Sequence, residues 1–186
     1  MQDILKVKDI MTSGWIATLN PHDSLIHAAK LFGQYNYDGF PVIDKDKKLL
    51  GVVTAYDLIS DQSLTHLKSL NEILNKIINE EEGISEKDIE DHYRQLESVK
   101  VEDVMNTDPL TVGPDLSIED LAKEFSKHHR VNPIPVIDDK WLLVGVVSRY
   151  DLIHFFDRRY LDKVMVSNGH ELLLQKIGQL SNKTDK

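Results

Sequence analysis

One nine-residue phrase occurs twice in this chain. Gly51-Val52-Val53-Thr54-Ala55-Tyr56-Asp57-Leu58-Ile59 returns as Gly145-Val146-Val147-Ser148-Arg149-Tyr150-Asp151-Leu152-Ile153, with the two glycines 94 positions apart. In each copy a β-branched run follows a glycine, and a hydroxyl residue and an aspartate three positions on open an apolar-spaced segment. That order predicts strand, sharp turn and helix, so the fold is built twice on one plan.

Two readings of the hydroxyl–aspartate pair stay open. Thr54 with Asp57, and Ser148 with Asp151, resemble capping boxes, whose side chains satisfy orphan amides in the first turn of a helix. The same pair also stands at the mouth of a strand-to-helix crossing, and a carboxylate there can accept both hydrogen bonds of a vicinal diol such as ribose presents.

The surrounding sequence repeats as well. Lys8-Asp9-Ile10-Met11 is matched by Glu102-Asp103-Val104-Met105, and each leads to an extended piece, Thr18-Leu19-Asn20-Pro21 or Thr111-Val112-Gly113-Pro114. Leu25, Ala28, Ala29 and Phe32 recur as Ile118, Leu121, Ala122 and Phe125, the spacing of one helical face. Ser117 with Asp120 is placed to cap the second of these helices, and Asp23 or Ser24 the first. Gly39-Phe40-Pro41-Val42-Ile43 and Pro133-Ile134-Pro135-Val136-Ile137 read as strands entered through proline, joined by polar turns to the Gly-Val-Val strands. Each repeat is therefore strand, helix, strand, strand, helix, too small to bury both faces of its sheet alone, and the two are expected to pack together. The predicted divisions are repeat 1 over 6–61, a helical insert over 62–98, repeat 2 over 99–156 and a helical tail over 157–186. In the insert Leu67, Leu70, Ile73, Leu74, Ile77 and Ile78 keep helical spacing, as do Leu173, Leu174, Ile177 and Leu180 in the tail.

Composition narrows the chemistry. The chain has no cysteine, which removes thiolate catalysis, zinc fingers and disulfides. A formal charge of −9 opposes loose binding to nucleic acid or to acidic membranes. No apolar run approaches a membrane span and the first residues lack a signal-peptide pattern, so a cytoplasmic protein is expected. Neither a Walker loop, nor a nucleophile elbow, nor His-Glu-x-x-His occurs, and the eight histidines are scattered, so neither an active site nor a metal site is expected. Basic residues gather in the second half, in His128, His129, Arg130 and Arg149, which predicts that an anion such as phosphate would prefer that side.

The order of elements, the Asp-Ile-Met start, the proline-led strand and the Gly-Val-Val-Thr/Ser-x-x-Asp ending resemble a tandem pair of CBS domains, named after cystathionine β-synthase. The resemblance implies an α/β (α+β) module of two pseudo-symmetric βαββα repeats with clefts between them, usually dimerised through helices. It implies an adenosine-containing ligand, with Thr54, Asp57, Ser148 and Asp151 on the ribose. Around the base and sugar it points to Thr18 and Thr111 on the first strands, and to Gly39, Phe40, Pro41, Ile134 and Pro135 before the second. Tyr37 is placed to stack on a base, and Arg130 and Arg149 to meet a phosphate, although one extra residue ahead of Ile134 displaces Arg130 from the family's position.

The function expected is a non-catalytic sensor of the AMP, ADP or ATP type, with no required cofactor, a homodimer that relays occupancy to an effector protein. The alternatives are a ligand-independent interaction scaffold and a sensor of S-adenosylmethionine or another adenosyl compound.

Overall fold

The computed structural model describes residues 5–35, 37–59, 90, 93–94 and 97–157. The expected helices of the insert and of the tail lie outside these residues, apart from residues 90, 93–94 and 97–98, which are helical. Repeat 1 contributes α1 (Leu25–Tyr35), β1 (Gly39–Ile43), β2 (Leu49–Thr54) and α2 (Ala55–Ile59). Repeat 2 contributes α3 (Ile118–Lys127), β3 (Ile134–Ile137), β4 (Leu143–Val147) and α4 (Arg149–Phe156). The result is the mixed α/β architecture anticipated, two antiparallel hairpins each followed by a helix.

Local chemistry sets the boundaries. Ser24 Oγ accepts from the His27 N–H at 3.3 Å and Ser117 Oγ from the Asp120 N–H at 3.1 Å, so serine caps both long helices. The hairpin turns are twins. Asp44 Oδ1 accepts from the N–H groups of Asp46 and Lys48, and Asp138 Oδ1 from those of Lys140 and Leu142, all at 2.8–2.9 Å. Lys47 and Trp141 both take φ of 64°, and the tips meet, with Leu49 N–H donating to the Trp141 carbonyl and Leu143 N–H to that of Lys47.

The first predicted strand of each repeat is reduced to one parallel bridge, Leu19 to Val42 and Val112 to Val136. Leu19 and Val112 each exchange two backbone bonds with the neighbouring strand, and then Asn20-Pro21 or Gly113-Pro114 turns the chain away.

The segments ahead of those bridges cross over. Val7, entirely buried, packs in the repeat 2 cluster with Ile118, Leu121, Ile134 and Val136. Val101, equally buried, packs in the repeat 1 cluster with Leu25, Phe40, Val42 and Val53. Backbone bonds fix the exchange: Val7 N–H donates to the Leu116 carbonyl, Leu25 N–H to that of Val99, and Thr12 pairs with Val146 as Asn106 pairs with Val52. Each repeat therefore seals its core with the leading segment of the other, which is why two such small units make one module.

The motif glycines are explained by the same crossing. A methyl group on Gly51 would lie 2.6 Å from the Asn106 carbonyl oxygen, and one on Gly145 would lie 2.5 Å from Met11 Sδ. Glycine stands third in both β2 and β4 because the other repeat's Met-containing segment lies against it there.

Candidate functional site

A cavity of about 500 Å³ opens where the two repeats meet. Repeat 1 supplies one wall through Trp15, Ile16 and Ala17, and through Tyr35, Tyr37, Asp38, Gly39 and Pro41; repeat 2 supplies the other through Asn132, Pro133, Val146, Ser148, Tyr150 and Asp151. The volume and the largely apolar walls with a few polar groups match those of small-molecule sites.

On the repeat 2 side, β4 ends and α4 begins at Ser148. Asp151 Oδ2 accepts from the Ser148 N–H and from the Ser148 hydroxyl, both at 2.7 Å, while Ser148 Oγ accepts from the Asp151 N–H at 3.2 Å. This is a complete capping box. It engages one carboxylate oxygen; among the described residues nothing donates to Oδ1. Capping and ligand binding are thus compatible in one half-buried side chain, because the cap leaves an acceptor oxygen on a residue that lines the cavity.

On the repeat 1 side stands an aromatic wall. Tyr35 stacks on Tyr37 with centroids 5.6 Å apart and planes 22° apart, and Trp15 lies 5.6 Å from Tyr35. Trp15 is 68 % exposed and Tyr37 51 %. Phe40 lies behind them, fully buried, 5.8 Å from the Tyr37 ring. Rings braced against a buried neighbour, with Trp15 and Tyr37 exposed at the cavity, suit a planar heterocycle.

Asn132 joins the two walls. Its Nδ2 donates to Asp38 Oδ2 at 2.6 Å, and its Oδ1 accepts from the Arg149 N–H at 3.0 Å. Asp38 and Asn132 are 94 positions apart, the spacing of the motif glycines, so the approximate twofold axis of the module passes between them.

Of the residues singled out from the sequence, Tyr37, Gly39, Pro41, Ser148 and Asp151 are brought together in this cavity. Thr18 is half-buried beside it and is not a lining residue; Phe40, Ile134 and Pro135 are fully buried. Thr54 and Asp57 repeat the hydroxyl–carboxylate bonds of Ser148 and Asp151 in repeat 1, at 2.7 Å, and do not line this cavity. Thr111 lines a separate groove of about 550 Å³ with Asp115, Asp138, Asp139 and Trp141.

Arg130 is exposed and is not a lining residue. Arg149 turns away from the cavity: its guanidinium donates to the His128 carbonyl at 3.0 Å and sits 5.0 Å from the Phe125 ring centroid, tying α4 to the end of α3. The basic residues expected to receive a phosphate on the Ser148–Asp151 side are therefore not on the walls of the cleft that this pair lines.

Asn132, Tyr35 and Tyr150 were not anticipated as lining residues. Asn132 could have been found by counting 94 positions on from Asp38, whereas Tyr35 carries no motif of its own. Among the described residues, no group of three or more His, Asp or Glu side chains is placed to hold a metal, and no helix is long and apolar enough to cross a membrane.

Comparison with known proteins agrees with this architecture. A family model for the CBS domain matches residues 7–63 and 101–158. An uncharacterised protein of Methanocaldococcus jannaschii is 32 % identical over 156 residues, covering 81 % of this chain and 90 % of that protein. The inosine-5′-monophosphate dehydrogenase of Bifidobacterium longum is 26 % identical over 165 residues, but the chain spans only 24 % of that enzyme's length. Among solved structures, the CBS-pair protein CBSX2 of Arabidopsis thaliana in complex with AMP superposes with a TM-score of 0.61 at 27 % identity, covering 83 % of this chain and 98 % of that one. With two matched repeats, a hairpin and helix in each, and a cleft between them, the chain belongs to the CBS-domain family as a tandem pair.

Proposed function

We propose that this protein is a non-catalytic regulatory module that binds an adenosine-containing ligand in the cleft between its repeats and relays occupancy to a partner protein. The observation that carries the reading is Asp151, a cleft-lining carboxylate with one oxygen held in the helix cap and the other without a described donor, facing a cavity walled by Trp15, Tyr35 and Tyr37. Vicinal hydroxyls want such an acceptor and a purine wants such rings. The AMP complex of a protein of the same architecture at 27 % identity supports the same ligand class.

The origin of the walls in both repeats supports the proposed relay. The ligand would touch Trp15–Ala17 and Tyr37–Gly39 of one repeat and Ser148–Asp151 of the other, so closing on it fixes their mutual angle. It biases the module only through a difference in affinity between two arrangements. A homodimer is proposed through α4, where Tyr150, Ile153 and Phe156 are exposed. Confinement to the cytoplasm is part of the same proposal.

A second reading, a scaffold that needs no ligand, draws on the completeness of the cap around Asp151, which by itself gives the residue a structural reason to be there. Calorimetry and thermal melts on the full chain with an adenosyl panel separate the two. Asp151→Ala is expected to weaken binding about tenfold or more, the loss of a charge-assisted hydrogen bond. If the variant melts lower and binds as before, the aspartate only caps a helix; if no adenosyl compound binds or raises the melting temperature of the parent, the scaffold reading stands.

A further inference from the structure

Resting on the sensor reading of this cleft, we infer that it selects an adenosyl ligand without phosphate, neutral or cationic at its 5′ end, over the nucleoside phosphates. The described residues that line the cavity include two carboxylates, Asp38 and Asp151, and neither lysine nor arginine. A ligand whose ribose is anchored on Asp151 keeps its 5′ group in a space of about 500 Å³ bounded also by Asp38. A phosphate there meets like charge in a partly desolvated setting.

Among the described residues, Arg130 is not on the cavity wall, and the nearby groups of Arg149 and of the first turn of α4 that could offset this are bonded elsewhere. The Arg149 guanidinium, on the residue next to Ser148, donates to the carbonyls of His128 and Phe125 at the end of α3. A helix N-terminus ordinarily attracts anions, but at α4 the Arg149 N–H donates to Asn132 Oδ1, the Asp151 N–H to Ser148 Oγ, and the carboxylate of Asp151 already occupies the positive end of the helix. Asp38 is in turn held in place by Asn132 at 2.6 Å, so it does not swing clear without breaking that bond. The four exposed or half-buried rings of Trp15, Tyr35, Tyr37 and Tyr150 favour a nucleoside face, and they favour a cation such as a sulfonium rather than an anion.

The test is competition at the one cleft: adenosine is titrated into the full chain by calorimetry, then displaced with AMP, ATP and S-adenosylmethionine, at low and high salt. Adenosine and S-adenosylmethionine are expected to bind about tenfold or more tightly than AMP, with the gap narrowing as salt rises. Asp38→Asn, which keeps an acceptor for Asn132, is expected to narrow the gap in the same direction by improving AMP alone. AMP displacing adenosine at equal or lower concentration overturns the charge selection and leaves the sensor reading intact. An absence of binding by every adenosyl compound overturns the sensor reading itself. Should Asp38→Asn melt far below the parent, the salt dependence of the unaltered protein decides, since a gap that does not change with salt has no electrostatic origin and refutes the inference.

Discussion

Equivalent positions in the two repeats agree in the backbone and diverge in the side chains. Both turns carry the same aspartate bonds and the same φ of 64°, and both hydroxyl–aspartate pairs close at 2.7 Å. In the cores the volumes are traded rather than kept. Repeat 1 buries Ala28 with Phe40 where repeat 2 buries Leu121 with Ile134, small with large against two of middling size, which keeps each interior filled. At the surface even the sign of charge reverses: Lys8 pairs with Asp115, while the equivalent Glu102 pairs with His22. The duplicated backbone is thus a frame on which the halves have separated, with the aromatic wall on repeat 1 and its facing carboxylate, Asp151, on repeat 2.

The glycines break the symmetry most sharply. At Gly51 the obstacle to a methyl group is a backbone oxygen, that of Asn106 at 2.6 Å; at Gly145 it is chiefly the sulfur of Met11 at 2.5 Å, with the Thr12 oxygen at 3.1 Å. A thioether can change rotamer and a bridged carbonyl cannot. Gly51→Ala is expected to cost about 3 kcal/mol and Gly145→Ala about 1 kcal/mol in urea unfolding. Equal costs would mean that the two crossings are equally rigid.

How far the sequence could be read follows from the same pairs. Period and punctuation marked the helices and hairpins, because Pro, Asp and Ser act locally at Pro41, Asp44 and Ser117, whereas the reason for Gly51 lies in the other repeat's segment. The aspartates of the motif were legible for the same reason. What could not be read was anything that depends on the exchange of leading segments. Val7 carries no mark saying that it belongs to the other repeat's core, and so Tyr37, Gly39, Ser148 and Asp151 are named for the site from the sequence without its showing that the first two face the last two across one cleft. The direction of Arg149 was equally hidden, since only the end of α3 nearby shows why a guanidinium next to Ser148 points away.

The crossing itself gives the next comparison. Val7 and Val101 are each fully buried in the opposite repeat, so Val7→Ala and Val101→Ala should each cost about 2 kcal/mol, the loss of two buried methyl groups and the cavity left behind. Equality is the point of the measurement. A negligible cost for Val7→Ala beside a full one for Val101→Ala, in matched chemical denaturation, would show that repeat 2 closes its core without help and that the exchange runs one way.

The smallest effect lies at the reversed ion pairs. Asp115 Oδ1 accepts from Lys6 Nζ at 2.8 Å and from Lys8 Nζ at 2.9 Å, which joins the leading segment of repeat 1 to repeat 2. The hydrogen bond from Lys6, then that from Lys8, pulls the Asp115 carboxyl down to about 2, and the bond to Asp115 holds the Lys8 ammonium above its usual value. A depressed acid contributes its stability above the unfolded value of about 4 and loses it as pH falls through the folded one; a raised amine contributes below about 10.5 and loses it as pH climbs past that. Asp115→Asn should therefore lower Tm slightly at neutral pH, with the difference from the parent closing between about pH 4 and pH 2 and shrinking in salt, because all three groups are solvent-exposed. Glu102→Gln is the matched control in the other half, where a single histidine replaces the two lysines, and its effect should be smaller still. A difference for Asp115→Asn that persists unchanged down to pH 2 would mean that the aspartate acts through the Gly113–Leu116 turn rather than through charge, and that the reversal of sign between the halves has no energetic consequence.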